Sequence, residues 1–146
     1  MRITIGCDHG ALALKECVKQ VLAELGAEVN DIGTFTEASV DYPDIAAKVC
    51  EEVTAGRSER GVLLCGTGIG ISIAANKIKG IRCALCGDVY SARMARAHND
   101  ANVLALGGRV LGPGLAGEIV RAWMTQDFEG GRHARRVDKM MALEGK

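Results

Sequence analysis

Short apolar runs alternate along this chain with longer stretches whose apolar residues recur at helical spacing. Arg2–Gly6 reads as a first strand. Leu14, Cys17, Val18, Val21, Leu22 and Leu25 then mark one face of a helix, and Gly26 supplies its stop. Ala27–Ile32 reads as a second strand and the polar stretch Gly33–Tyr42 as a loop. Pro43 falls in the first turn of a helix that runs to about Ala55. Gly61–Cys65 is a compact buried strand, and the glycine-rich run Gly66–Gly70 passes straight into a helix ending near Lys77. Ile81–Cys86 and Asn102–Leu106 are further strands, with a helix around Ser91–Ala97 between them. Pro113 opens a helix whose face carries Leu115, Ala116, Ile119, Val120 and Trp123. A last helix holds Val137, Met140 and Met141.

Strand–helix alternation of this kind predicts a parallel sheet covered on both faces. The expected architecture is a single α/β domain over residues 1–146, a three-layer α/β/α Rossmann-like fold with a five-stranded parallel sheet. The pattern carries no information on strand order. Ligands of open α/β sheets bind beyond the carboxyl ends of the strands. Those ends are Gly6-Cys7-Asp8-His9, Cys65–Gly70, Gly87-Asp88 and Gly107-Gly108-Arg109.

Composition narrows the classes of function. With 18 basic and 18 acidic residues the formal net charge is zero, which predicts no general affinity for nucleic acid or an anionic membrane. Aromatic residues make up only 3%, too few for a base-stacking surface. The strand-like start lacks an apolar signal core, so a cytoplasmic location is expected, with the six cysteines as thiols.

The candidate chemistry begins at Cys65-Gly66-Thr67-Gly68-Ile69-Gly70. Exposed N–H groups of such a turn form an anion-binding nest, and the same field favours a thiolate. From this segment alone a phosphate loop beside a core cysteine is the simpler reading. The run lacks the Lys-Ser/Thr ending of a Walker loop and the spacing of a dinucleotide fingerprint. His9, His98 and His133 each lie in a polar cluster at an element end, and their spacing predicts no metal site. Cys83 and Cys86 lie three apart in a strand, point to opposite faces, and with Cys17 and Cys50 are expected in the core. Arg132 and Arg136 are one helical turn apart, a spacing that suits a phosphate dianion. On that segment alone, a solvated surface patch is the simpler reading.

Taken together, Gly6-Cys7-Asp8-His9, Asp41-Tyr42-Pro43, the run from Cys65 to Lys77, His98–Leu104, Gly107-Gly108-Arg109 and Glu129–His133 resemble the RpiB/LacAB family of sugar-phosphate isomerases. The matching stretches cover essentially the whole chain. The resemblance implies an aldose–ketose isomerase acting on ribose 5-phosphate and ribulose 5-phosphate, without metal or other cofactor. It implies Cys65 as the base, His98 as the ring-opening group, and Thr67 near the ring oxygen. Asp8, His9, Gly66, Gly68, Ile69, Gly70, Asn99, Arg109, Arg132 and Arg136 would bind substrate, the arginines and His9 at the phosphate. Relatives that lack the cysteine use a glutamate in the following turn. Here that position is Ile71, which points to the cysteine type. The resemblance also implies a homodimer or tetramer with shared sites, the C-terminal helix at the dimer interface, and His98, Asn99 and Arg109 serving the partner's pocket. A six-carbon sugar phosphate, such as allose 6-phosphate or galactose 6-phosphate, is the alternative substrate. A non-catalytic sugar-phosphate-binding module is the alternative of another class.

Overall fold

Along β1 (Arg2–Cys7), β3 (Arg60–Cys65) and β5 (Val103–Gly107), successive side chains enter two different cores, as the period of two in a strand requires. Ile3, Ile5, Val62, Leu64, Leu104 and Leu106 belong to one cluster. Leu63, Cys65, Val103 and Ala105 belong to the other. All three strands are buried on both faces, which explains why they read as continuous apolar runs.

The computed structural model describes residues 1–145. Helices α1 (Leu12–Glu24), α4 (Val89–Ala97) and α5 (Pro113–Thr125) cover the first face with Leu14, Val18, Leu22, Ala92, Ile119 and Trp123. Helices α2 (Tyr42–Thr54) and α3 (Ile69–Asn76) cover the second with Ile45, Val49, Cys50, Ile71 and Ala75. Each buried aliphatic side chain contributes roughly 1.5–3 kcal/mol relative to exposure. With β2 (Glu28–Asp31) and β4 (Cys83–Leu85) the sheet has five parallel strands in the order β2-β1-β3-β5-β4. The expected three-layer architecture is therefore the observed one. The winding reverses between β1 and β3, which opens a crevice beyond their carboxyl ends. Helix α6 (Arg132–Ala142) and a short 3-10 turn, Leu143–Gly145, close the described chain. No helix among the described residues is long and apolar enough to cross a membrane.

Three expectations need correction. The fourth strand is Cys83–Leu85, not Ile81–Cys86, because it is a sheet edge. The Asn76 side chain takes the place of a neighbouring strand there: its amide donates to Cys83 O at 2.9 Å and its Oδ1 accepts the Cys83 N–H at 2.8 Å. On α1, Cys17 is only half-buried, and Lys15 is buried instead. Its ammonium donates to Asp31 Oδ1 at 2.9 Å and Thr34 O at 2.7 Å, and lies 4.5 Å from the Phe35 ring centre. Cys83, too, is half-buried, not core. As the strand period predicts, it packs on the α2–α3 side while Cys86 lies on the other.

Candidate active site

Strand β3 ends at Cys65, opposite Gly107 of β5. From there the chain must turn under a neighbouring strand, and glycines permit it. A Cβ at Gly107 would stand 2.6 Å from Thr67 O. Gly68 takes φ 78°, and a Cβ there would stand 2.8 Å from the Leu106 carbonyl carbon. The Gly108 N–H donates to Cys65 O at 2.8 Å and the Arg109 N–H to Gly66 O at 2.9 Å, which ties the turn to the end of β5.

This turn aims a donor at the sulfur: the Gly68 N–H reaches Cys65 Sγ at 3.1 Å. Cys65 is 5% exposed. Burial pushes the Cys7 and Cys86 thiols up to about 11 and Cys50 up to about 12, and raises Cys83 as well. Cys7, Cys50 and Cys86 are buried in the two cores, and Cys83 packs against the α2–α3 one. Among the described residues, Cys65 alone has a sulfur that accepts a backbone N–H. Thr67 is exposed, and its Oγ1 accepts the Ile69 N–H at 3.2 Å. Behind it, the first-turn N–H groups of Gly70 and Ile71 find no acceptor among the described residues. Free N–H groups at the first turn of a helix favour negative charge nearby.

The end of β1 lines the same crevice. Asp8 is nearly buried, and its carboxylate accepts the Gly10 N–H at 2.9 Å. A Cβ on Gly10 would lie 3.2 Å from Gly66 N, so the two turns are in contact. His9 Nδ1 accepts the Val40 N–H at 3.2 Å, which puts the proton of the neutral ring on Nε2. Tyr42 lies in one of the stretches that carry the resemblance, but the sequence reading gave it no role. Its ring lies 2.7 Å from where a Gly70 Cβ would stand. A local signal was its place before Pro43 at a helix start. Arg109 departs from expectation. Its guanidinium lies 3.1 Å from the Cβ position of Gly66, beside its own chain's Cys65 turn and apart from His98.

His98, Asn99, Arg132 and Arg136 gather at the opposite edge of the sheet. His98 caps the carboxyl end of α4, which has run back from the end of β4 to the amino end of β5. The Glu129 N–H donates to Ala97 O at 3.0 Å and brings the start of α6 alongside. The His98 and His133 rings stack with centroids 4.1 Å apart and planes 7° apart. Glu129 Oε1 lies 3.7 Å from His98 Nε2. Burial, with His98 and Arg132 beside it, holds His133 below the usual histidine range. Sequence spacing did not foretell this trio, whose donor atoms all lie within 4.8 Å of one another. The parallel rings point their lone pairs along parallel planes, so they do not converge on one ion as they stand.

Comparison with known proteins identifies the family to which this fold belongs. Residues 3–140 match the family described as Ribose/Galactose Isomerase. "Ribose-5-phosphate isomerase B" of Escherichia coli (strain K12) is 49% identical over 143 residues, 98% of this chain and 96% of that protein. "D-erythrulose-4-phosphate isomerase" of Pectobacterium atrosepticum is 46% identical over 141 residues, covering 96% and 93%. The solved structure of Clostridium thermocellum "Ribose-5-Phosphate Isomerase B" superposes with a TM-score of 0.97 at 54% identity, covering 99% of this chain and 98% of that one. Fold and site thus define an enzyme that isomerises sugar phosphates. The chain belongs to the ribose/galactose isomerase family.

Proposed function

We propose that this enzyme interconverts ribose 5-phosphate and ribulose 5-phosphate, with Cys65 as the base, in a homodimer whose sites are shared. The observation that carries the chemistry is the sulfur at the mouth of the glycine turn, held by the Gly68 N–H. A backbone donor stabilises the thiolate without neutralising it. In the first step the C1–O4 bond of the furanose breaks. O4 gains a proton, with His98 as donor, and the C1 hydroxyl loses one. The Cys65 thiolate then removes the C2 proton of the open aldehyde, and the electron pair moves onto O1 as the enediolate. Return of that proton to C1, with the O2 proton passing to O1, gives the ketose. Free N–H groups at the turn face the developing charge, and one such donor is commonly worth about 3–4 kcal/mol. Arginines and His9 clamp the phosphate, which fixes the reacting carbons against the sulfur.

The two edges of the sheet support the shared site. Cys65 pairs with Gly107, whereas His98 precedes Val103 at the other end of β5. Four residue steps along β5 separate those ends by about 13 Å. One sugar cannot touch both groups of one chain. A second copy that brings its His98, Asn99, Arg132 and Arg136 to this chain's Cys65, His9 and Arg109 completes the site. Exposed Ile69, Ile73 and Leu85 beside the turn give such a copy an apolar face to cover.

The test is turnover on four-, five- and six-carbon aldose phosphates. The four-carbon substrate is included because of the name of the Pectobacterium relative. Ribose 5-phosphate should give the highest kcat/KM, and Cys65→Ala should abolish turnover and solvent deuterium uptake. A folded Cys65→Ala protein that still isomerises would reject the thiolate base. Tight sugar-phosphate binding with no isomerisation would favour a binding module.

A further inference from the structure

Between α4 and β5 the chain passes through His98-Asn99-Asp100-Ala101-Asn102. Asp100 has φ 46°, the one positive value at a non-glycine position among the described residues. Such a conformation persists where its surroundings over-determine it, and it concentrates at working sites. Two arginines do so here. Arg96, which is buried, donates from Nη1 to Asp100 Oδ1 at 2.8 Å and to Ala101 O at 2.9 Å. Arg82 donates from Nη2 to Asp100 O at 2.7 Å and from Nε to Asn99 O at 3.1 Å, and its Nη2 lies 3.6 Å from Asp100 Oδ2. Arg82 is itself pinned, since its backbone N–H donates to Asn102 Oδ1 at 2.8 Å.

A connection between a helix and a strand needs none of this to reverse direction. Both guanidiniums spend their donors on the backbone and carboxylate of one short turn, and that turn carries two proposed substrate-facing side chains. We infer that Asp100, clamped by Arg82 and Arg96, is a positioning residue that holds His98 in register for ring opening at the partner's sulfur. The inference rests on the isomerase reading above. The clamp touches no substrate: it acts through the backbone of residues 98–100.

Ring opening and proton transfer separate experimentally. Ribose 5-phosphate is a furanose and must be opened, whereas ribulose 5-phosphate has its 5-hydroxyl esterified and cannot close to a furanose. Solvent deuterium exchange into C1 of ribulose 5-phosphate therefore needs the Cys65 half-site but not ring opening. In Asp100→Ala, turnover of ribose 5-phosphate should fall on the order of 10- to 100-fold, as sub-ångström misplacement of a reacting group does. Deuterium exchange should stay within a factor of about three, under ~1 kcal/mol of barrier. Asp100→Asn tolerates the same backbone and keeps an acceptor, so it should recover most of the loss. Where Asp100→Ala does not fold, Arg82→Gln carries the same comparison.

Equal loss of both rates, or loss of neither, overturns the inference. A second readout keeps it independent of the activity. The His98 ring signals in the NMR spectrum should shift and broaden in Asp100→Ala, and unchanged signals refute positioning. Wild-type protein that isomerises no sugar phosphate would instead overturn the function proposed above, with the NMR comparison still deciding the role of Asp100.

Discussion

Replacing Gly107 with alanine adds one methyl group at the point where the two most important loops meet. The new Cβ would stand 2.6 Å from Thr67 O, 2.8 Å from Thr67 C and 3.1 Å from Thr67 Cα. Ordinary carbon–oxygen contacts lie near 3.3 Å, so the Thr67 peptide must retreat by roughly 0.7 Å. All three atoms are backbone, and no side-chain rotation relieves the clash. The next N–H along is that of Gly68, which holds Cys65 Sγ at 3.1 Å. A shift of this size takes the donor off the sulfur and tilts the start of α3. Overpacking of this kind costs about 1–3 kcal/mol of stability, and Tm should drop by roughly 2–12 °C. Activity should drop much further, by on the order of 100-fold in kcat/KM, because the proposed base and the proposed oxyanion donors both move. Gly87→Ala is the matched control, since no atom lies within 4 Å of its Cβ position. It should stay within about 0.5 kcal/mol of wild type. Coupled assay and differential scanning calorimetry on the two variants decide the matter. A Gly107→Ala enzyme with wild-type kcat/KM would show that the sulfur does not depend on this turn.

Further outcomes follow from the same structure. Cys65→Ala and His98→Asn should each be inactive alone, yet a refolded equimolar mixture should regain about a quarter of wild-type activity, because half the dimers are hybrids with one intact site of two; a mixture that stays inactive would place both groups in one chain's site. Lys15→Met removes the ammonium donor of Thr34 O and leaves Asp31 with Lys19, at 2.9 Å, and the Gly33 N–H; it should lower stability by about 3 kcal/mol, read from urea unfolding. Burial raises the Asp31 carboxyl, but hydrogen bonds from Lys15 and Lys19 outweigh it and hold the group below its ordinary value. Its contribution is present above the unfolded-state pKa of about 3.9 and fades as pH falls through that value toward the lower folded one. Tm should therefore decline below about pH 4, and Asp31→Asn should be less stable at neutral pH with a shallower decline.

The alternation of strands and helices was legible because β1, β3 and β5 are buried on both faces and so spell continuous apolar runs. Lateral order was not, since nothing in a run such as Val62–Cys65 says which strand lies beside it. The ends of β4 escaped for a related reason: its outer edge is satisfied by the Asn76 side chain, a partner that periodicity cannot register. The burial of Lys15 was not legible, because the carboxylate that permits it lies 16 positions further on. The Cys65 turn was legible to the residue, since glycine there answers local demands, a positive φ at 68 and close approach at 107. The other half of the site was visible only as separate fragments. His98, Glu129 and His133 meet through the return of α5, and no local pattern encodes a contact across that distance. Arg109 marks the limit most sharply. Its motif sits near His98 in sequence, but β5 runs between them and carries Arg109 to the Cys65 edge. Strand polarity therefore separates Cys65 and Arg109, which follow strands, from His98, which precedes one. The site proposed above needs both, and so asks for two copies of this fold.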